Sequence, residues 1–285
     1  MKIGVTFARL RPALWPETAA LCDELGYESL WLPEHLVLPV GGTGSPFRGQ
    51  DHPPIPPQTP VFDVFTMLGF LAGRTSRIRL GTNVYNIGLR HPFTTARAVA
   101  TLDVVSQGRV ELGIGASWLE AEWQATGLDF TTRGRRVDEA LGICRRLWSE
   151  PVVEHHGEHF EFGPVMFEPK PFQQPAPPVS VGGDSRPALR RAALLGDGWM
   201  PMNTGLDGLP AALDVIRRRR AAAGRDQPFT TTFMGSVQSH RDIEAAAAAG
   251  IDRLIVAPWR RSAGAGDGLR EFAAAFLPST GQHAT

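Results

Sequence analysis

Short runs of apolar and β-branched residues alternate along the chain with longer stretches whose apolar residues recur at helical spacing. The short runs predict strands over residues 2–7, 29–32, 78–84, 109–115, 178–181, 198–201, 229–236 and 253–257. The longer stretches predict helices over 16–26, 61–74, 92–106, 133–149, 187–195, 209–223, 243–250 and 269–276. Pro16 and Pro187 stand near helix starts, and Gly26 and Gly196 at helix ends. About eight strand–helix pairs in sequence is the count of a (β/α)8 TIM barrel, an α/β fold. Strand segments such as VSVG and LIVAP suit a parallel sheet covered by helices. The runner-up, an open doubly wound sheet, needs fewer strands and a Gly-rich loop after the first one, and MKIGVTFARLRP has none.

The rhythm breaks twice. Residues 34–60 carry many Pro and Gly and no period, giving a loop insert at 36–60; a connection that long inside a compact domain is usually functional or mobile. In the second break VVEHHGEHFEF alternates and then meets prolines, which predicts a hairpin-like insert over 151–177. No fixed-period repeat or low-complexity tract appears, so residues 1–285 read as one barrel domain with inserts after strand two and before strand five.

Composition narrows the function classes. The 285 residues are 42% hydrophobic and 20% charged, enough for a sizeable core. Lys plus Arg and Asp plus Glu balance at 29 each, which gives no footprint for nucleic acid or a membrane surface. The opening MKIGVTFARLR is no secretory signal, because Arg9 and Arg11 interrupt its apolar run, and no stretch reaches the ~18 apolar residues of a membrane span. Cys22 and Cys144 fall in predicted helices without His or Cys partners at ligand spacing, and read as buried thiols. A cytoplasmic protein is the expectation.

In a barrel of this kind the chemistry gathers at the carboxyl ends of the strands. Those ends carry Glu34-His35, Thr82-Asn83-Val84, residues 113–118 (GIGASW), residues 182–186 (GGDSR), residues 200–203 (MPMN) and Trp259. After strand five, Gly182 and Gly183 let an anion approach the backbone. Asp184 and Ser185 can cap the helix opened by Pro187, whose first N–H groups face that anion, and Arg186 can add a charge-assisted contact. An ordinary capped helix has the same sequence. Gly115 in GIGAS is a second place for close backbone approach, and two such loops on one barrel face suggest a phosphorylated cofactor. His35 is the acid–base candidate, with Glu34 available to hold its ring or to serve the cofactor. His155, His156 and His159 cluster, but strand alternation splits them between two faces, so no metal site is expected. The arginine run 217–220 reads as a solvated helix face, and Trp123, Trp148 and Trp199 as packing.

Five strings in order, WLPEH, RIRLGTNV, HPFTTARAVATLDVVSQGRVELGIGASW, RGRRVDEAL and VGGDSRPALRRAALLGDGW, resemble the bacterial luciferase-like flavin and deazaflavin oxidoreductases. Within that family they resemble the branch of probable coenzyme F420-dependent oxidoreductases. The likeness runs from residue 1 to about 203, and more weakly to about 277. It implies a ring cofactor across the barrel mouth. A cis peptide is implied at Asn83-Val84, pressing on the ring's back face. Glu34 is implied against the ring system and His35 beside the reactive carbon. Ala116 and Ser117 then lie along the cofactor's sugar-like chain, and Gly182, Gly183, Ser185 and Arg186 hold its phosphate. Sugar-phosphate dehydrogenases of the family carry a glutamate where this chain has Trp118, so that activity is not expected. Trp118 instead walls an apolar substrate pocket, with the segment 36–60, including Phe47, Arg48, His52 and Ile55, as the rest of the wall or a lid.

The expected activity is hydride transfer between coenzyme F420 and a small organic substrate. An FMN-dependent monooxygenase using reduced flavin and oxygen is the alternative on the same fold, and a non-catalytic flavin-binding protein the alternative of another class. Family members often dimerise, so a homodimer is possible.

Overall fold

The computed structural model describes residues 1–41 and 55–278. Eight parallel strands close into a barrel: β1 (Lys2–Thr6), β2 (Ser29–Leu32), β3 (Arg79–Thr82), β4 (Val110–Ile114), β7 (Val179–Gly182), β8 (Gly198–Met200), β9 (Thr230–Met234) and β10 (Arg253–Val256). They neighbour one another in chain order, and β10 pairs with β1 to close the ring. The expected hairpin is β5 (Val153–His156) against β6 (Glu161–Val165), an antiparallel pair outside the barrel. The connecting helices are α1 (Trp15–Leu25), α2 (Val64–Ala72), α3 (Pro92–Val105), α4 (Glu120–Ala125), α5 (Arg133–Ser149), α6 (Arg186–Leu195), α7 (Leu209–Ala222), α8 (His240–Ala248) and α9 (Ala265–Phe276). β2, β4 and β10 are buried at every residue, as parallel strands with helices outside and a filled barrel inside must be.

Side chains fill the barrel in layers. Trp31 of β2 lies fully buried across the interior, and glycines on the neighbouring strands make room for it: a Cβ on Gly81 would stand 2.3 Å from its ring. Together with Met200 and Ile255, Trp31 forms an inner apolar cluster against which Val84 packs. At the amino ends of the strands lies an ion-pair network. Arg253 donates to both oxygens of Glu28 (2.8 and 2.7 Å) and to Glu111 (3.0 Å), and Arg79 donates to Glu111 (2.6 Å). Burial works against the charge on Glu28, yet Arg253 holds its carboxyl below the usual range. Buried charges persist only when paired in this way.

Capping chemistry explains where boundaries depart from the sequence reading. Asp63 accepts from the Thr66 N–H at 2.8 Å, so α2 starts after it and not at residue 61. Ser239 and Asp242 form a reciprocal capping box, which starts α8 three residues before the expected position. Strand β3 stops at Thr82; the Asn83-Val84 peptide is cis, and Tyr85 then rejoins β4 through a single bridge to Ile114. One expectation about charge fails. Arg220, in the run expected to be solvated, is buried, donates to the Gln227 carbonyl at 2.6 Å and stacks on Phe229. Its long apolar stem lets the packing proceed while the guanidinium finds carbonyl acceptors.

Candidate active site at the barrel mouth

The carboxyl ends of the strands carry the expected groups, but with a different division of labour. Glu34 is buried and does not hold His35. One of its oxygens accepts from the Asn86 N–H at 2.9 Å, and the other pairs with Arg90 at 2.5 Å. Burial opposes the charge on Arg90, but Glu34 raises its pKa above the usual arginine value. Arg90 also lies over the Tyr85 ring, whose phenol burial pushes up to about 12. Glu34 therefore ties the end of β2 to the turn that follows Asn83-Val84.

His35 takes its partner from α4. Its Nδ1 lies 3.3 Å from Oε2 of Glu122, a carboxylate with no solvent exposure. Trp118 meets the imidazole edge-on at 5.8 Å. The preceding residue, Ser117, adopts a left-handed backbone (φ 61°), which is uncommon for a residue other than glycine.

Glycines make the floor of the mouth tight. A Cβ on Gly115 would stand 2.7 Å from Val84, and one on Gly182 would stand 3.0 Å from it. The Val84 side chain thus fits between β4 and β7 only because both positions lack one. Asn83 faces a cavity of about 190 Å³ lined also by Met200, Thr232, Met234, Ile255 and the segment 201–205. Its buried Oδ1 has no hydrogen-bond partner among the described residues.

The loop after β7 divides its two expected cap residues. Ser185 alone caps α6, accepting from the Ala188 N–H at 3.3 Å. Asp184 turns instead to the loop after β8, where its carboxylate accepts from the N–H groups of Met202, Asn203 and Thr204 and, at 2.6 Å, from the Thr204 hydroxyl. Gly183 has φ 112°, a value suited to glycine, and Arg186 at the exposed first turn of α6 leaves a backbone N–H without an intrahelical acceptor.

The structure thus brings His35 and Trp118 together, and Val84 against Gly115 and Gly182. It keeps Glu34 apart from His35 and commits Asp184 to a neighbouring loop. Ala116 and Ser117 follow β4 half-buried at the same end. Phe47, Arg48 and His52 lie outside the described residues. Glu122 and Arg90 were not anticipated from the sequence; the only signal for Glu122 was a carboxylate between the apolar Leu119 and Trp123 on the short run LEAEW. Away from the mouth, His155 pairs with Glu139 at 3.0 Å, His156 with Glu161 at 3.3 Å and His159 with Glu158 at 3.7 Å.

A family model described as luciferase-like monooxygenase matches residues 10–282. A phthiodiolone/phenolphthiodiolone dimycocerosates ketoreductase of Mycobacterium bovis is 30% identical over 236 residues, covering 80% of this chain and 61% of the relative. The structure of a monooxygenase from Streptomyces bottropensis superposes with a TM-score of 0.77 at 23% identity, covering 98% of this chain and 99% of the other. An F420-dependent secondary alcohol dehydrogenase, in complex with an F420-acetone adduct, also reaches 0.77, at 18% identity and the same coverage.

Proposed function

The chain belongs to the luciferase-like monooxygenase family, and from that membership we propose that it is an oxidoreductase moving a hydride between coenzyme F420 and a small carbonyl or alcohol substrate. The observation that carries this reading is His35, an imidazole tethered at one nitrogen by a buried carboxylate and flanked by Trp118 at the strand ends. Interconverting a carbonyl and an alcohol needs a proton on the oxygen for every hydride on the carbon, and a held imidazole is suited to that exchange. The M. bovis relative, named as a ketoreductase, supports the same class of reaction.

The residues present fit a phosphorylated ring cofactor on two counts. Asn83, whose buried Oδ1 has no hydrogen-bond partner among the described residues, lines a cavity at the mouth that would take a ring edge. That cavity is smaller than the ~300–1,000 Å³ of whole-ligand pockets, so it suits part of the cofactor, the remainder extending along the mouth. The turn at Gly182 and Gly183 leads into the amino end of α6, where Ser185 and Arg186 would hold a phosphate. When bound, the deazaflavin supplies the carbon that donates or accepts the hydride. Trp118, with the exposed Leu36, Val37 and Val40 after His35, offers an apolar surface to the substrate.

The test is a pair of titrations of the cofactor-free protein, with F420 and with FMN, followed by fluorescence. The proposal expects tight binding of F420 and turnover of ketones or secondary alcohols. Tight binding of FMN alone, with oxygen consumed by the reduced complex, would replace it with a monooxygenase.

A further inference from the structure

Glu122 enters the mouth from the short helix α4, which is oriented by its neighbour Trp123. That indole is fully buried, and it packs so closely that a Cβ on Gly88 would stand 2.8 Å from it. With Trp123 fixed, the Glu122 carboxylate reaches the end of the β2 segment. Its Oε1 accepts from the N–H groups of Leu36 (2.5 Å) and Val37 (3.3 Å), and its Oε2 faces Nδ1 of His35 at 3.3 Å. With Oε1 taken up by two backbone donors, Oε2 is the oxygen left to accept from the ring. At the His35 contact the ring nitrogen must then be the donor. Glu34, adjacent in sequence, is engaged by Arg90 and Asn86, and no other carboxylate contacts the ring among the described residues.

We propose that Glu122 is a positioning residue: it holds His35 with a proton on Nδ1 and so makes Nε2 the nitrogen that exchanges the substrate proton. The second half rests on the reading of His35 as the acid–base group; the first does not. In carbonyl reduction the substrate oxygen takes the Nε2 proton as its carbon gains the hydride, and the ring is left neutral with its remaining proton on Nδ1. In alcohol oxidation the O–H bond breaks toward the same nitrogen. The carboxylate itself never changes protonation, which is the division of roles expected of an orienting acid beside a working histidine.

The test is ring-nitrogen NMR on the full-length protein labelled at its eight histidines, with His35→Asn supplying the assignment. In the wild type the neutral ring is expected as the Nδ1–H tautomer. In Glu122→Gln the amide oxygen can keep the Leu36 and Val37 contacts while its NH2 faces Nδ1, so the ring should switch to Nε2–H. With that switch kcat should fall about 10²–10⁴-fold while the cofactor Kd stays within about threefold. An Nε2–H ring in the wild type, or an unchanged tautomer or turnover in Glu122→Gln, overturns the proposal. If the variant does not fold, the wild-type tautomer and Glu122→Asp, whose shorter arm should weaken the Nδ1 contact and lower kcat, decide it. A tautomer switch in a protein that binds neither cofactor leaves the positioning of His35 standing and removes the proposed reaction.

Discussion

His35 and Glu34 share a strand end, but their neighbours assign them different tasks. Arg90 and the Asn86 N–H saturate Glu34, which makes it a brace beneath the turn that bears Asn83 and Val84. His35 keeps a side chain 14% exposed, with only Nδ1 engaged among the described residues. Substituting His35→Asn removes the titrating group while keeping a polar side chain. We expect kcat to fall by about 10²–10⁴ with cofactor affinity nearly unchanged, as for loss of a general acid–base group. Steady-state kinetics beside a binding titration checks this, and undiminished turnover with bound cofactor would take the acid–base role from His35. This histidine was legible in the sequence because it directly follows a strand. Its partner was not, because Glu122 lies 87 positions away and their meeting depends on how α4 packs.

Among elements, the loops after β7 and β8 behave as one unit because Asp184 joins them. Its carboxylate collects three backbone N–H groups and a hydroxyl from residues 202–204, the segment that lines the cavity beside Asn83. Hydrogen bonds to a charged acceptor contribute roughly 1.5–3 kcal/mol each, and those sharing one carboxylate are not additive. Asp184→Ala should therefore release the 202–204 amides to faster hydrogen exchange and weaken cofactor binding about tenfold, while Ser185 still caps α6. Unchanged protection of those amides in mass-detected exchange would show that the loop holds its place without Asp184. Sequence reasoning recognised the turn chemistry of GGDSR but assigned both polar residues to the helix cap. Only Ser185 has the geometry for that, and which of two adjacent residues caps depends on a backbone angle that the letters leave open. Helix α4, six residues long, escaped for a related reason: it is too short to display a period.

For the whole molecule, the candidate site at the mouth and the Arg253 network lie at opposite ends of the barrel axis. Among the described residues, replacing Arg253 by Met leaves Glu28 with Ser29 and the exposed Lys2, and Glu111 with Arg79. Breaking a buried pair from one side costs about 3–5 kcal/mol, so we expect a matching loss in thermal or denaturant unfolding. Turnover per folded molecule should be kept below the new melting temperature. Unfolding followed against pH offers a second check. The folded-state pKa of Glu28 lies below its unfolded value, so its contribution is fully present above about pH 4.5 and fades as pH falls through the folded pKa. That acid-side loss should be smaller in Arg253→Met, and an identical acid profile would argue against the pairing. The barrel itself was readable from eight strand–helix repeats, since each is a local pattern. The network was not, because Glu28, Glu111 and Arg253 belong to distant repeats and meet only on closure.

The pairing of β1 with β10 carries one more implication. Ile255 and Arg253 come from the last strand, yet they complete the inner cluster under Val84 and the network under Trp31. A chain folding from its first residues can assemble most of the wall but has neither a finished floor nor a closed ring until that strand arrives. Closure joins the most distant parts of the sequence, the kind of non-local pairing whose loop entropy must be met before its contacts form. Ligand binding at the mouth would then report on closure of the ring, because the last strand completes the floor.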